Sequence, residues 1–529
     1  MNHNSYLVEK FPHDLKAGIT VSLVAIPLCL GIALASGVPP IAGLIAGIIG
    51  GIIVGILSDS AVSVSGCAAG LVPVVLSAIT ELGALDLFFV AVVFSGVIQY
   101  IFGVLRIGII AHYIPSAVLK GMLAAIGIII ILKQIPYIFG YNSAFDESMA
   151  LHYDSTILSN TMYLFYHMSY GSVIISIISF AILYFTSKNH VNDDKFVAKI
   201  FKYLPGSLLL IIVSVFVNGL FKLYFPSLEL TPEYLVNIPD FNGLFNSSTL
   251  FSMDPSGLKN ILIYKYAVIL AIIGSIETLL SIEASDKLDR QRRVTHTSVE
   301  LKAQGIGNML SGLLHGLPIT SVMIRSSVNI ENNAQTKMAT IIHGIVLLLC
   351  ILCASSFINQ IPLASLACIL IATGYKLTHE KILRDMFKKG SYQFFPFVIT
   401  ILAILATDLL VGVMIGLIIS IFFILRTYYN LSIVNVIKNE DLKEWHLKFH
   451  SYTTFLSKAN IKMILDSVPN NSKLILDFSE CIILDQEIQE LINAYRDNAY
   501  RKNIELIINN SDSLNPEFSL KGLSAGYKV

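Results

Sequence analysis

The sequence predicts an α-helical protein that crosses a lipid bilayer many times and ends in a small α/β domain outside it. Three observations carry this. Of 529 residues, 54% are hydrophobic and only 14% are charged, against about 25% charged in ordinary soluble domains. Apolar spans follow one another almost without pause from about residue 17 to 430, and some are near the roughly 20 residues that a bilayer core requires. Beyond Tyr429 charged residues return and the pattern turns to short alternating and helical runs.

The spans read as 17–35, 41–57, 67–80, 85–104, 117–139, 172–185 and 205–220, then 264–284, 301–314, 322–330, 338–358, 363–372, 394–406 and 409–424. That makes fourteen segments, several too short to cross alone. Residues 1–14 read as a polar cytoplasmic segment and 15–430 as the transmembrane domain. The first apolar run is too long for a cleavable signal, so it stays in the mature protein.

Lysine and arginine in short loops set orientation. Loops 188–203, 285–302 and 376–391 are basic, whereas loop 141–170 has Asp146, Glu147 and Asp154 and no Lys or Arg. With the N-terminus inside, the count of fourteen puts all three basic loops in the cytoplasm and the acidic one outside. The expectation is a multi-pass protein of the inner or plasma membrane.

The tail, 435–529, reads as a cytoplasmic α/β domain. Trp445–Phe449 alternates like a strand, 473–478 and 504–508 read as further strands, and Ile488, Leu491, Ile492 and Tyr495 share one face of a helix over 485–500.

Several functions are excluded or disfavoured. The 36 basic and 36 acidic residues balance, and no basic run interleaved with aromatics suggests a nucleic acid. No nucleophile–base pair, phosphate loop or metal cluster supports an enzyme, and neither a metal nor a cofactor is expected. The Cys350–Cys353 pair reads as two small core residues of one helix. Lys133 and Arg106 sit near span ends, where they can snorkel. Asp408 reads as a helix cap, and His343 as a core residue.

The chemistry concentrates in two interrupted segments, the third and the tenth. Ser60–Gly70 begins as a short alternating strand, meets Gly66, Cys67, Ala68 and Ala69, and then turns helical. Gly316–Val322 is an extended piece with Pro318 that runs through Thr320, Ser321 and Val322 into a turn holding Arg325. Paired interrupted segments in two halves point to a transporter's binding site. A half-helix that starts in mid-membrane has free N–H groups and partial positive charge there, so two facing starts form a cradle for an anion.

Two charged residues add to this. A cation in a membrane segment is expensive and usually functional, so Arg325 is expected at the anion site, with a structural pair to a carboxylate as the alternative. Glu277 lies in an apolar helix and would bind a proton or Na⁺ or neutralise Arg325. Ser281, four residues on, shares its face. Glu283 and Asp286 read as solvated.

These segments resemble the sulfate permease (SulP) family of inorganic-anion transporters. The likeness lies in Glu300–Asn308, Ser311–Leu313, Gly316–Pro318 and Arg325–Asn329, in Ala25–Pro27 and Ala35–Gly37 of the first span, and in Ser63–Gly66 before the third. It covers residues 9–430. The tail is similar to the family's STAS domain through Leu474–Leu484 and Asp485. Where that domain usually has Asp-Ser-Thr-Gly, this chain has Asp485-Gln486-Glu487-Ile488.

The resemblance implies a seven-plus-seven inverted repeat, in which a core moves against a gate, and a homodimer. It implies that the anion lies between Cys67, Ala68 and Ala69 on one side and Thr320, Ser321 and Val322 on the other. The segment-eight carboxylate that handles the coupling ion would be Glu277. The chain departs from sulfate-type relatives at Leu28, where Gln is frequent, and at Cys67-Ala68, where Pro-Thr is frequent. The expected function is secondary transport of sulfate or bicarbonate, by symport with Na⁺ or H⁺. The alternatives are an anion channel or exchanger without cation coupling, and a nucleobase permease of the same architecture.

Overall fold

The protein is described by a computed structural model covering residues 3–108, 115–140, 168–188, 205–238, 259–407, 409–431, 435–439, 444–449, 452–481 and 483–509. The acidic loop, Lys195, Lys199, Lys202 and Asp408 lie outside the described residues. The chain divides into two compact units, Met1–Leu417 and Ile418–Val529.

Each expected segment has a helix within a few residues. In chain order these are α1 (His3–Ala35), α2 (Pro40–Ile49), α3 (Val72–Leu82), α4 (Leu85–Val104), α5 (Ser116–Ile138), α6 (Tyr170–Lys188) and α7 (Gly206–Tyr224). The second run is α8 (Ile261–Leu288), α9 (Thr297–Leu313), α10 (Met323–Glu331), α11 (Met338–Ile358), α12 (Leu363–Leu377), α13 (Glu380–Lys388), α14 (Ser391–Ala406) and α15 (Leu409–Leu431). Among the described residues, eight helices are long and apolar enough to cross a bilayer. Phe216 and Leu223 of α7 are 65% and 75% exposed. Outward apolar side chains of this size belong against acyl chains rather than water.

Helix partners are exchanged between the halves. Helix α4 packs on α9 and α8, while α11 packs on α2 and α1. The α4–α9 contact is backbone-close because it is lined by glycine. A Cβ on Gly305 would come within 2.6 Å of the Tyr100 nitrogen, and one on Gly96 within 2.5 Å of the Met309 nitrogen. Small residues allow such approach within a membrane.

Helix α2 continues through a π turn, Gly50–Val54. A side chain at Gly50 would meet the Ser65 carbonyl, and one at Gly51 the Gly344 backbone. The turn therefore packs between the first interrupted segment and α11.

Three expectations are corrected and one is extended: α1 runs from His3 straight into the first span, so the polar N-terminal residues are helical. Asp14 is buried and accepts from the Gln335 and Thr336 amides at 2.7 and 3.1 Å, capping the turn that leads to α11. Loop 376–391 holds the amphipathic helix α13, whose start is capped by the His379 side chain accepting from the Lys381 amide. Cys353 is exposed on α11, whereas Cys350 is half-buried against the core, so only one of the pair is a core residue. Asp286 is only half-exposed; it accepts from the Thr295 amide and hydroxyl, both at 2.8 Å.

Two short strands lie within the helical unit, β1 (Ser65–Cys67) and β2 (Ile319–Ser321). They pair antiparallel with Ser65 opposite Ser321, Gly66 opposite Thr320 and Cys67 opposite Ile319. The first strand is shorter than expected: Ser60–Val64 is irregular, and the Ser63 amide donates to Ser60 Oγ at 3.1 Å.

The second unit has a four-stranded sheet in the order β3 (Asn435–Asn439), β4 (Glu444–Lys448), β6 (Lys473–Asp477), β8 (Glu505–Asn509). The pair β3–β4 is antiparallel and the others parallel. A separate two-residue pair joins β5 (Tyr452–Thr453) to β7 (Ile483–Leu484). Helices α16 (Lys458–Asp466) and α17 (Gln486–Arg501) complete it. Ile488, Ile492 and Tyr495 of α17 are buried with Leu474 and Leu476 of the inner strand β6 and with Phe478 just after it, the face read from the sequence. Asp485 caps α17 by accepting from the Glu487 amide at 3.2 Å, and also accepts from the Phe455 amide at 3.1 Å.

Candidate functional site

The two interrupted segments meet at the centre of the helical unit. Each leaves its strand as a helix: Ala69–Leu71 is a single 3-10 turn leading into α3, and α10 starts at Met323 directly after β2. Neither start carries a side-chain cap, because Ala68, Leu71 and Val322 occupy the cap positions. A helix start without a side-chain cap carries partial positive charge on its first amides.

The runs 67–69 and 320–322 were expected on opposite sides of an ion. The strands Ser65–Cys67 and Ile319–Ser321 pair as one ribbon, and the two helix starts depart from its opposite ends. Antiparallel pairing requires this, since each strand leads into its helix in its own direction. Hydrogen bonds fix the ribbon to α10 and α8. The Val322 amide donates to the Val64 carbonyl at 2.9 Å, the Val64 amide to Ser326 Oγ at 3.0 Å, and the Ser321 amide to Thr278 Oγ1 at 3.3 Å. The hydroxyls of Ser63 and Ser321 lie 2.5 Å apart.

A narrow crevice runs beside the ribbon. Its walls are Ile32 of α1 and Ser36 just after it, Cys67 and Ala68, Leu71 and Val75 around the start of α3, and Leu317–Pro318 before β2. Of the residues expected at the anion, Cys67 and Ala68 line this crevice. Ala69 and Val322 are half-buried, while Gly66, Thr320 and Ser321 are buried within the ribbon.

Arg325 stands behind this wall. It is fully buried, and its Nη2 donates to the sulfurs of Cys29 and Cys67 at 3.2 and 3.4 Å. A side chain at Gly66 would collide with its Nη1, so the glycine is required for the guanidinium to reach this place. Its Nε and Nη1 find no protein partner. No carboxylate pairs with it among the described residues, so the alternative of a Glu277–Arg325 pair is not what the structure forms. The cation is left electrically uncompensated one side chain away from the crevice.

Glu277 lies on α8 with its carboxylate against Gly70, whose backbone N–H it accepts from. Any side chain at position 70 would meet the carboxylate. One oxygen, Oε2, is enclosed and has no partner. A negative group thus occupies an amide at the α3 start. Ser281 is buried one turn on.

The residues missed from the sequence lie on α1 and α9. Cys29 had no local pattern to mark it, since it meets Arg325 across 296 residues of chain. Glu300 is a second buried carboxylate, held by Ser58 Oγ and by Gln304 Nε2 at 2.9 Å. Among the described residues no group of three or more His, Cys, Asp or Glu is placed to hold a metal.

Fold and site together define a polytopic membrane protein with two discontinuous segments paired at its centre. Residues 11–400 match the sulfate permease family, and the chain belongs to that family. It is 28% identical over 426 residues to the putative sulfate transporter YvdB of Bacillus subtilis, covering 80% of this chain and 75% of the relative. It is 26% identical over 421 residues to the bicarbonate transporter BicA of Picosynechococcus, covering 77% and 69%. The overall structure of SLC26A9 superposes with a TM-score of 0.70 at 14% identity, covering 97% of this chain and 86% of the other, a likeness of fold alone.

Proposed function

We propose that this protein carries a small inorganic oxyanion, sulfate or bicarbonate, across the membrane by secondary active transport coupled to Na⁺ or H⁺. The observation that carries the reading is the pair of uncapped helix starts flanking one ribbon, with the uncompensated Arg325 behind it. Two helix ends contribute about half a charge each and Arg325 one more, so the centre attracts an anion. The relatives named as sulfate and bicarbonate transporters support the same class of substrate.

Coupling is supported by Glu277. While ionised it holds the Gly70 amide, and its charge opposes an incoming anion. A proton or Na⁺ on the carboxylate, with Ser281 as a further oxygen for the cation, would release that amide. Anion and cation would then favour each other's binding equally, as linkage requires. This favours symport over a channel or a cation-independent exchanger. A nucleobase would need side-chain amides or carboxylates, which Cys67–Ala69 does not offer.

The exchange of helix partners between the halves supports a seven-plus-seven inverted repeat, and the basic loops support cytoplasmic placement of the N-terminus and the small α/β unit. We read that unit as STAS-like and the assembly as a homodimer. Uptake of radiolabelled sulfate and bicarbonate into proteoliposomes, with Na⁺ and pH gradients imposed separately, tests the proposal. Uptake of one anion driven by one cation gradient is expected; uptake of neither under any gradient would overturn it.

A further inference from the structure

Helix α9 carries four buried polar side chains, Glu300, Gln304, Asn308 and Ser311. Their spacing of four, four and three residues aligns them on one face. None of them lines the crevice. Buried polar groups need partners, and for Gln304 and Asn308 these include the two strands.

Asn308 does for β2 what a further strand would do. Its Oδ1 accepts from the Ile319 amide at 2.5 Å, and its Nδ2 donates to the Ile319 carbonyl at 2.9 Å. The same Nδ2 reaches Gln99 Oε1 of α4 at 2.6 Å. Ser311 Oγ donates to the Leu317 carbonyl at 2.6 Å, fixing the chain as it enters β2. One turn back, Gln304 Nε2 donates to Ser65 Oγ of β1 at 2.6 Å, while also holding Glu300.

The two anchors grip opposite ends of the ribbon. Ile319 is paired with Cys67, and Ser65 with Ser321. Gln304 and Asn308 are four residues apart, a helical rise of about 6 Å. The anchored rungs are two residues apart, a strand rise of about 6.6 Å. The helical turn and the strand repeat therefore match. A ribbon of three residue pairs has few ladder bonds of its own, and a slip of one residue would turn Cys67 to the opposite face.

We infer that α9 is a ruler that sets the register of the two strands, with Asn308 and Gln304 as positioning residues for the anion site. By holding β1 and β2 in register, they hold both helix starts that follow. The inference rests on the reading of the site given above.

The test uses the full-length protein, purified and reconstituted, with the Asn308→Leu and Asn308→Asp variants. KM and Vmax are measured for whichever of sulfate and bicarbonate the wild type carries. Hydrogen–deuterium exchange is followed in a peptide spanning Leu317–Val322. Leucine removes both bonds to Ile319, so KM should rise about tenfold or more with Vmax nearly unchanged. Aspartate keeps the acceptor but loses the donor, so its KM should fall in between. Exchange at Ile319–Ser321 should quicken in both variants while the rest of α8 and α9 stays as in the wild type. Unchanged KM, or unchanged exchange at Ile319–Ser321, would overturn the inference. If the leucine variant does not fold, the aspartate variant decides on the same two readouts. A wild type that carries neither anion would defeat the transport reading, and the exchange measurement alone would then decide the ruler.

Discussion

Replacing Arg325 with glutamine removes the one uncompensated cation behind the crevice wall and leaves a polar side chain of similar reach. The effect scales with the charge on the anion. The guanidinium lies within 3.4 Å of the Cys67 sulfur, and Cys67 forms the wall. An anion on the far side would stand about 7 Å from the guanidinium, worth about 2 kcal/mol per unit of negative charge at an effective dielectric constant near 20. Apparent affinity should therefore fall about thirtyfold for a monovalent anion and roughly a thousandfold for a divalent one. Folding should survive, since among the described residues the only protein bonds at stake are the two from Nη2 to sulfur, and Nε and Nη1 have no protein partners to lose. The assay is the concentration dependence of uptake into proteoliposomes, alongside the thermal stability of the purified variant. An affinity equal to wild type for both anions, in a folded variant, would refute the electrostatic reasoning.

Other perturbations follow from the same geometry. Glu277→Gln should abolish the dependence of uptake on the coupling ion while the anion still binds; a retained Na⁺ or pH dependence would count against the role given to that carboxylate. Gly66→Ala places a methyl group on Arg325 Nη1 and should cut transport at least tenfold without loss of expression; full activity would show that the guanidinium can leave its slot freely. The turn after α8 should be acid-sensitive. Burial alone would raise Asp289, but its bonds to the Arg293 guanidinium and to the Arg293 and Gln291 amides outweigh this and hold the carboxyl below its ordinary value. Its stabilisation is therefore present above about pH 4 and lost as pH falls through the depressed value. Faster amide exchange at Gln291–Arg293 in acid, absent in Asp289→Asn, would confirm it; equal exchange in both would not.

Much of the fold was legible because a bilayer demands long apolar runs, and these fix helix positions within a few residues. The two interruptions were legible for the complementary reason: Gly66 and Pro318 break helical periodicity where no surface loop is expected. Segment ends were read short wherever a helix continues in polar residues, as at Thr297–Glu300 in α9 or Ser285–Leu288 in α8. Helix α13 was hidden by its charges, which read as a loop although they alternate with Ile382, Leu383, Met386 and Phe387.

The site was legible as a place more than as a set of contacts. Cys67, Ala68 and Arg325 were all singled out, but a sequence does not say which way a guanidinium points. Its sulfur partner Cys29 lies on the first helix, far away in the chain. Glu300, Gln304 and Asn308 were visible as a motif, and only the strands they grip give the motif a purpose. The ribbon pairing of Ser65–Cys67 with Ile319–Ser321 depends on long-range register that local pattern does not encode.

The central claim is that an anion rests at the ribbon between the starts of α3 and α10. Anomalous scattering from crystals grown with selenate or bromide would locate such an ion directly. The account predicts a peak beside Cys67 and Ala68 that weakens in Arg325→Gln. A peak elsewhere in the helical unit, with none at the ribbon under either anion, would contradict it.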